Sequence, residues 1–321
     1  MLSLLLTGCM TPDGPPLSGL GMTDAALAID DARAGQVIAN FRAMQASRNG
    51  LRGSARVALS GPDFKLNRPQ RIVLKRPANL RFEVVGLFDQ LAAILATDGE
   101  EFGFYEAGQP EIARGRVTPG LLWDLAKIDL EPEELVGLLL GAPKPSPGAA
   151  RAAVWLEPAV AEEEADRIAI AFAWPSEVGP DCAAAEASAL CSVPAEAMAM
   201  GAEVFVFDAS SQLVEMRAVE AGGAIRFRAE FADYKPLAAG SQQMAAGAQP
   251  LAAGAQQAAA GAQPADAASF FFPNRVTIGS PQLASEARFV WKRVMLSEEL
   301  SDQHFRLPEP TGRVGNARSG G

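Results

Sequence analysis

The sequence predicts a mainly β protein with some α (α+β), an antiparallel sheet curved beneath a few short helices. Three observations carry this reading. Apolar residues alternate with polar ones over many short runs in both halves of the chain, the pattern of strands with one dry face. Prolines fall between the runs, where strands end: Pro62, Pro69 and Pro77. Two very apolar helical segments interrupt the strands near the middle, and such helices must cover something.

The first segment, Leu2 to Leu6, is apolar and leads into Leu6-Thr7-Gly8-Cys9, which reads as a lipobox. On that reading residues 1–8 are a lipoprotein signal peptide, and Cys9 becomes the acylated first residue. Only eight residues precede the cysteine and none is Lys or Arg, so a leader shortened at its start is expected. Residues 9–29 form a tether that includes the turn-rich Thr11-Pro12-Asp13-Gly14-Pro15-Pro16. Thr11, rather than Asp, follows closely behind the cysteine; by analogy with enteric sorting this favours the outer membrane.

A helix is expected next. Ala34, Val37, Ile38, Phe41, Met44 and Gln45 recur at helical spacing, Arg33, Arg42 and Arg48 fall on other faces, and Gly50 is placed to stop it. From Leu51 to Tyr105 the period becomes two: Ile72 and Leu74 alternate with Arg71, Val73 and Lys75, and Leu80, Phe82 and Val84 with Arg81 and Glu83. Thr118-Pro119 and Pro132-Glu133-Glu134 then start the two mid-chain helices, 119–128 and 132–140. Strands return at 152–157, 167–174, 203–208, 212–219, 224–234, 274–278 and 287–296. Ile225, Phe227, Ala229 and Phe231 give the cleanest alternation in the chain, with turns at Asp208 to Ser211 and Gly222-Gly223.

Two insertions break the pattern. Residues 176–200 are Ala-rich and hold Cys182 and Cys191, an even pair that could close a small loop in an oxidising compartment if the segment holds the geometry. Residues 237–264 are four seven-residue units, LAAGSQQ, MAAGAQP, LAAGAQQ and AAAGAQP. Each unit carries a glycine and only one position is ever large and apolar, so no coiled-coil seam can form and a linker is expected. A tail, 313–321, closes the chain.

Composition excludes several functions. A net charge of −10 argues against nucleic acid as a partner. The single histidine, His304, leaves a Ser/His or metal-dependent mechanism with almost nothing to use, and hydrolase and nucleotide-binding motifs are absent. No enzyme activity, cofactor or metal is therefore expected. No apolar run reaches the ~18–20 residues of a membrane-spanning helix, so membrane contact would come through the lipid.

Several stretches, taken in order, resemble the LolA/LolB-like lipoprotein carriers, and among them a branch of outer-membrane lipoproteins. They are Gly53-Ser54-Ala55-Arg56-Val57, Arg76-Pro77-Ala78-Asn79-Leu80-Arg81-Phe82, Thr97-Asp98-Gly99, Leu135 to Gly141 with Pro143, and Phe305-Arg306-Leu307-Pro308-Glu309-Pro310-Thr311-Gly312. The resemblance spans a single domain, 30–312, insertions apart. It implies a curved antiparallel half-barrel closed by a short helical lid, with a cavity that takes acyl chains of lipoproteins or lipids. It also implies anchoring on the periplasmic side of the outer membrane, contact with that membrane's inner leaflet, and a periplasmic carrier protein as partner.

Within that frame the candidate cavity lining is Ile168, Ile170, Phe172, Trp174, Phe227 and Trp291, and the lid residues are Leu121, Leu122, Leu125, Leu135 and Leu138. Any β-sheet core also contains residues of these types. Gly86-Leu87-Phe88-Asp89-Gln90 occupies the place of a loop that delivers cargo to the membrane in LolB-type members, so Leu87 and Phe88 would do so here. The alternative is a turn whose side chains fold back on the sheet. A non-catalytic envelope scaffold of the same fold, with a filled interior, is the alternative function.

Overall fold

The computed structural model describes residues 32–86, 88, 90–109, 111–146, 155–156, 167–173, 201–237, 271–297 and 299–307. Cys9, Leu87, Trp174, Cys182, Cys191, the 176–200 insertion, residues 238–264 of the second insertion and the 313–321 tail lie outside them.

Among the described residues one antiparallel sheet carries thirteen strands. The first group is β1 (Gly50–Gly61), β2 (Phe64–Lys75), β3 (Asn79–Val85), β4 (Leu91–Thr97), β5 (Glu101–Glu106) and β6 (Ala113–Arg116). The second is β7 (Trp155–Leu156), β8 (Ile168–Ala173), β9 (Ala202–Phe207), β10 (Leu213–Val219), β11 (Ile225–Pro236), β12 (Phe271–Ser280) and β13 (Ser285–Leu296). Each group is a meander, and the two join where β13 pairs with β1, from Leu51 opposite Leu296 to Ser60 opposite Glu286. Sheet edges β6 and β7 are therefore consecutive in sequence. The chain between them carries α2 (Leu121–Ala126) and α3 (Pro132–Leu139), while α1 (Ala32–Ser47) precedes β1.

Alternation decides which side of each strand is dry. Leu51, Ala55, Val57 and Leu59 of β1 share a buried face with Ala287, Phe289 and Trp291 of β13, Val276 and Ile278 of β12, and Phe227, Ala229 and Phe231 of β11. Register shifts at Ser54/Ala55, Val84/Val85 and Ala218/Val219 are local irregularities of the kind that bend strands. The opposite face of β3–β5 is covered by the C-terminal segment. Leu307 packs on Ile94 and Ala96, Lys75 donates to Leu300 O at 3.1 Å, and Arg81 donates to His304 O at 3.3 Å.

The helices fill the dry face unequally. Phe41 of α1 meets Phe205 and Phe207 of β9 at ring-centroid distances of 5.1 and 5.2 Å. In α3, Leu135, Val136, Leu138 and Leu139 are fully buried, so this helix is a plug within the core rather than a surface cover. Its ends are clamped by polar groups. Glu134 accepts from Glu131 N–H at 2.9 Å and pairs with Arg226 of β11. At the other end Arg48 donates to Leu140 O (3.2 Å) and Gly141 O (2.8 Å), and Arg76 donates to Ala142 O, pinning the chain just past the end of the helix.

Four local expectations are corrected. Pro69 does not fall where a strand ends but lies inside β2, opposite Arg56 of β1. Arg48 is not on an exposed helix face: it lies past the end of α1, is 3% exposed, and also donates to Phe271 O at 2.5 Å. Gly50 does not stop that helix, which ends at Ser47. It opens β1, where an added Cβ would stand 2.5 Å from Ser297 O. Pro119 is not the first helical residue either; α2 begins at Leu121, after Gly120 in the left-handed conformation.

Candidate functional site

Among the described residues, two spaces stand out on the dry face. The larger, about 400 Å³, lies between β1–β5 and α2. Its walls are Val57, Leu59, Leu66, Phe82, Leu95 and Phe289 from the sheet, with Leu125 and Ile128 on the helical side. This falls in the range of small-ligand sites. The strands place these side chains by period two: Leu66 faces Leu59, Phe82 faces Ile72, and Leu95 faces Phe82 and Phe104.

α2 lies against this space, contributing Leu125 and Ala126 to its lining, and meets the sheet through apolar and ring contacts. Leu121 and Leu122 are buried, and Trp123 meets Phe64, the first residue of β2, edge to face at 6.1 Å. The Lys127 ammonium lies 5.4 Å from the centre of the Trp123 ring. At the far end of β3 stands the hairpin turn closed by Gly86 N–H donating to Gln90 O at 2.7 Å. Phe88 in that turn is 91% exposed and has a left-handed backbone, φ 63°. The side chain does not fold back on the sheet.

The smaller space, about 320 Å³, lies beside α3 and is rimmed by charge: Arg76, Glu131, Glu133, Glu134, Glu203 and Arg226, over Leu138, Met216 and Phe227. Glu203 accepts from both the N–H and the hydroxyl of Ser146, at 2.7 and 2.6 Å. Burial nevertheless pushes its pKa above the usual carboxylate range, and the nearby Glu134 adds to this. Burial likewise lowers Arg48 and Arg76 to about 10 each. The two spaces differ in character: charge rims the smaller, while apolar side chains form most of the wall of the larger.

Of the cavity residues named from the sequence, Phe227 borders the smaller space. Ile168, Ile170 and Phe172 sit on the same face as Phe205 and Phe207, in the half packed by α1, with Phe172 5.4 Å from Phe205. Trp291 is buried against Phe272 at 6.2 Å. Among the lid residues, Leu125 lines the larger space and Leu138 the smaller, while Leu121, Leu122 and Leu135 are core. The sequence reading passed over Phe289, Leu59, Leu66 and Leu95, and also Arg68 and Gln70 of β2. The signal for the last two was the run Leu66, Arg68, Gln70, Ile72, Leu74, one face of a strand with two polar members.

Among the described residues no group of three His, Cys, Asp or Glu side chains could hold a metal ion, and no helix is long and apolar enough to cross a membrane.

Solved structures similar to this chain include a DUF1329 family protein from Desulfovibrio piger, with a TM-score of 0.47 and 9% identity over 86% of this chain and 98% of that one. A LolA superfamily protein from Nitrosomonas europaea gives a TM-score of 0.44 and 8% identity over 85% and 96% of the two chains. A domain from Vibrio parahaemolyticus, described as a candidate outer membrane lipoprotein-sorting protein domain, gives 0.42 and 9% over 84% and 95%. No protein-family model and no curated protein matches the chain.

Proposed function

We propose that this protein is a non-catalytic, lipid-anchored carrier or acceptor that holds an acyl chain in the apolar space beneath α2. One observation carries the reading: a roughly 400 Å³ void walled largely by apolar side chains, among them Val57, Leu59, Leu66, Phe82, Leu95 and Phe289. Burying a methylene there is worth about 0.8 kcal/mol, so a long chain supplies on the order of 10 kcal/mol before association costs. Entry is by displacement of α2, since its contacts with the sheet are apolar and re-form cheaply, whereas α3 is clamped through Arg48, Arg76 and Glu134. Cys9 supplies the anchor, on the periplasmic side of the outer membrane. The turn bearing Phe88 contacts that membrane's inner leaflet, and a periplasmic carrier hands over cargo.

The packing of Phe41 over Phe205 and Phe207 is what favours the alternative of an envelope scaffold. Mass spectrometry of organic extracts from the full chain carrying Cys9→Ser separates the two. Stoichiometric lipid supports the carrier; a lipid-free protein that also fails to displace a fluorescent fatty acid supports the scaffold.

A further inference from the structure

Strand β2 brings two neighbouring polar side chains, Arg68 and Gln70, to the wall of the larger space. Gln70 is only 6% exposed, lines the void, and among the described residues has no hydrogen-bond partner. Two residues back on the same face, Arg68 also lines the void and is exposed. The Gln70 amide atoms are not sealed in the core but reach the void, where a polar group of an entering molecule can pair with them. Pairing of β2 with β3 begins at Gln70 opposite Val84. The stretch of β2 before it, with Arg68, pairs only with β1, which leaves an opening beside the turn that carries Phe88. The lining residues include Lys65, Arg68 and Lys127 against one acid, Glu106, in a chain whose net charge is −10.

Resting on the carrier reading above, we infer that Arg68 and Gln70 select a single-chain anionic amphiphile. Its tail lies on Leu59, Leu66, Phe82 and Leu95, its charged head meets the Arg68 guanidinium at the opening, and an inner oxygen of the head accepts from the Gln70 amide. A carboxylate and a phosphate monoester share this chemistry, and a guanidinium fork serves both.

The test is displacement of bound N-phenylnaphthylamine, an uncharged probe, from the full Cys9→Ser chain. The competitors share one chain length: palmitate, hexadecyl phosphate, hexadecanol and hexadecyltrimethylammonium. The wild type should prefer at least one anion over the alcohol by about tenfold and reject the cation, and which anion wins identifies the head. Arg68→Gln should erase the preference without changing affinity for hexadecanol or the probe, and Arg68→Lys should retain part of it. Gln70→Leu should weaken palmitate while leaving the probe unaffected. Equal affinity for all four heads, or a preference that survives Arg68→Gln, overturns this inference and leaves the carrier standing. Failure of every amphiphile to displace the probe overturns both.

Discussion

Phe64 and Trp123 meet edge to face with ring centres 6.1 Å apart, joining the first residue of β2 to the middle of α2. This contact ties α2 to the sheet beside the larger void. Trp123→Ala should cost about 1 kcal/mol of stability and speed release of a bound fluorescent fatty acid by at least about tenfold. Stopped-flow dilution measures the rate; an unchanged rate means that α2 is not the gate.

Arg48 holds α3 in place through three carbonyls, those of Leu140, Gly141 and Phe271, and its guanidinium stands 5.3 Å over the Phe272 ring. Arg48→Ala removes all of these in a buried site and should cost about 3 kcal/mol in urea denaturation. Arg48→Lys should recover little, because an ammonium cannot span the same carbonyls. A loss below about 1 kcal/mol would show that α3 is held by its leucines alone.

Glu203 gives a pH dependence of defined sign. Burial raises its folded pKa above the unfolded value, so its contribution is fully present below pH 4.5 and lost as pH rises through the folded pKa. Glu203→Gln should therefore flatten this part of the stability profile and raise the melting temperature at neutral pH relative to wild type. Scanning calorimetry from pH 4 upward checks it. A lower melting temperature at neutral pH would mean that the two Ser146 hydrogen bonds outweigh the buried charge.

Phe88 combines full exposure with a left-handed backbone. Asn tolerates that conformation better, so Phe88→Asn should leave stability unchanged or raise it by a few tenths of a kcal/mol. Transfer of a fluorescent acyl ligand to vesicles should fall severalfold. Undiminished transfer would remove the turn from the delivery step.

Much of the fold was legible because strand faces announce themselves locally. The alternation in Ile225 to Phe231 and in Leu80 to Val84 is written in adjacent residues and reappears as β11 and β3. The place of the void was not legible. Ile170 and Leu59 are equally apolar and both face inward, and only the packing of Phe41 from a distant helix decides that one is covered and the other borders space. Arg48 was unreadable for a related reason: its partners lie 92, 93 and 223 residues away, so no local pattern marks it as buried.

The most direct test fills the void. Ala93 of β4 lines it beside Val84 and Leu95, and Ala93→Trp should occupy the space that the chain would take. Titration of the Cys9→Ser protein with a fluorescent fatty acid should give one saturable site in the wild type and none in Ala93→Trp, with the far-ultraviolet dichroism unchanged. A wild type that binds nothing, or a folded Ala93→Trp protein that binds as well as wild type, contradicts the account.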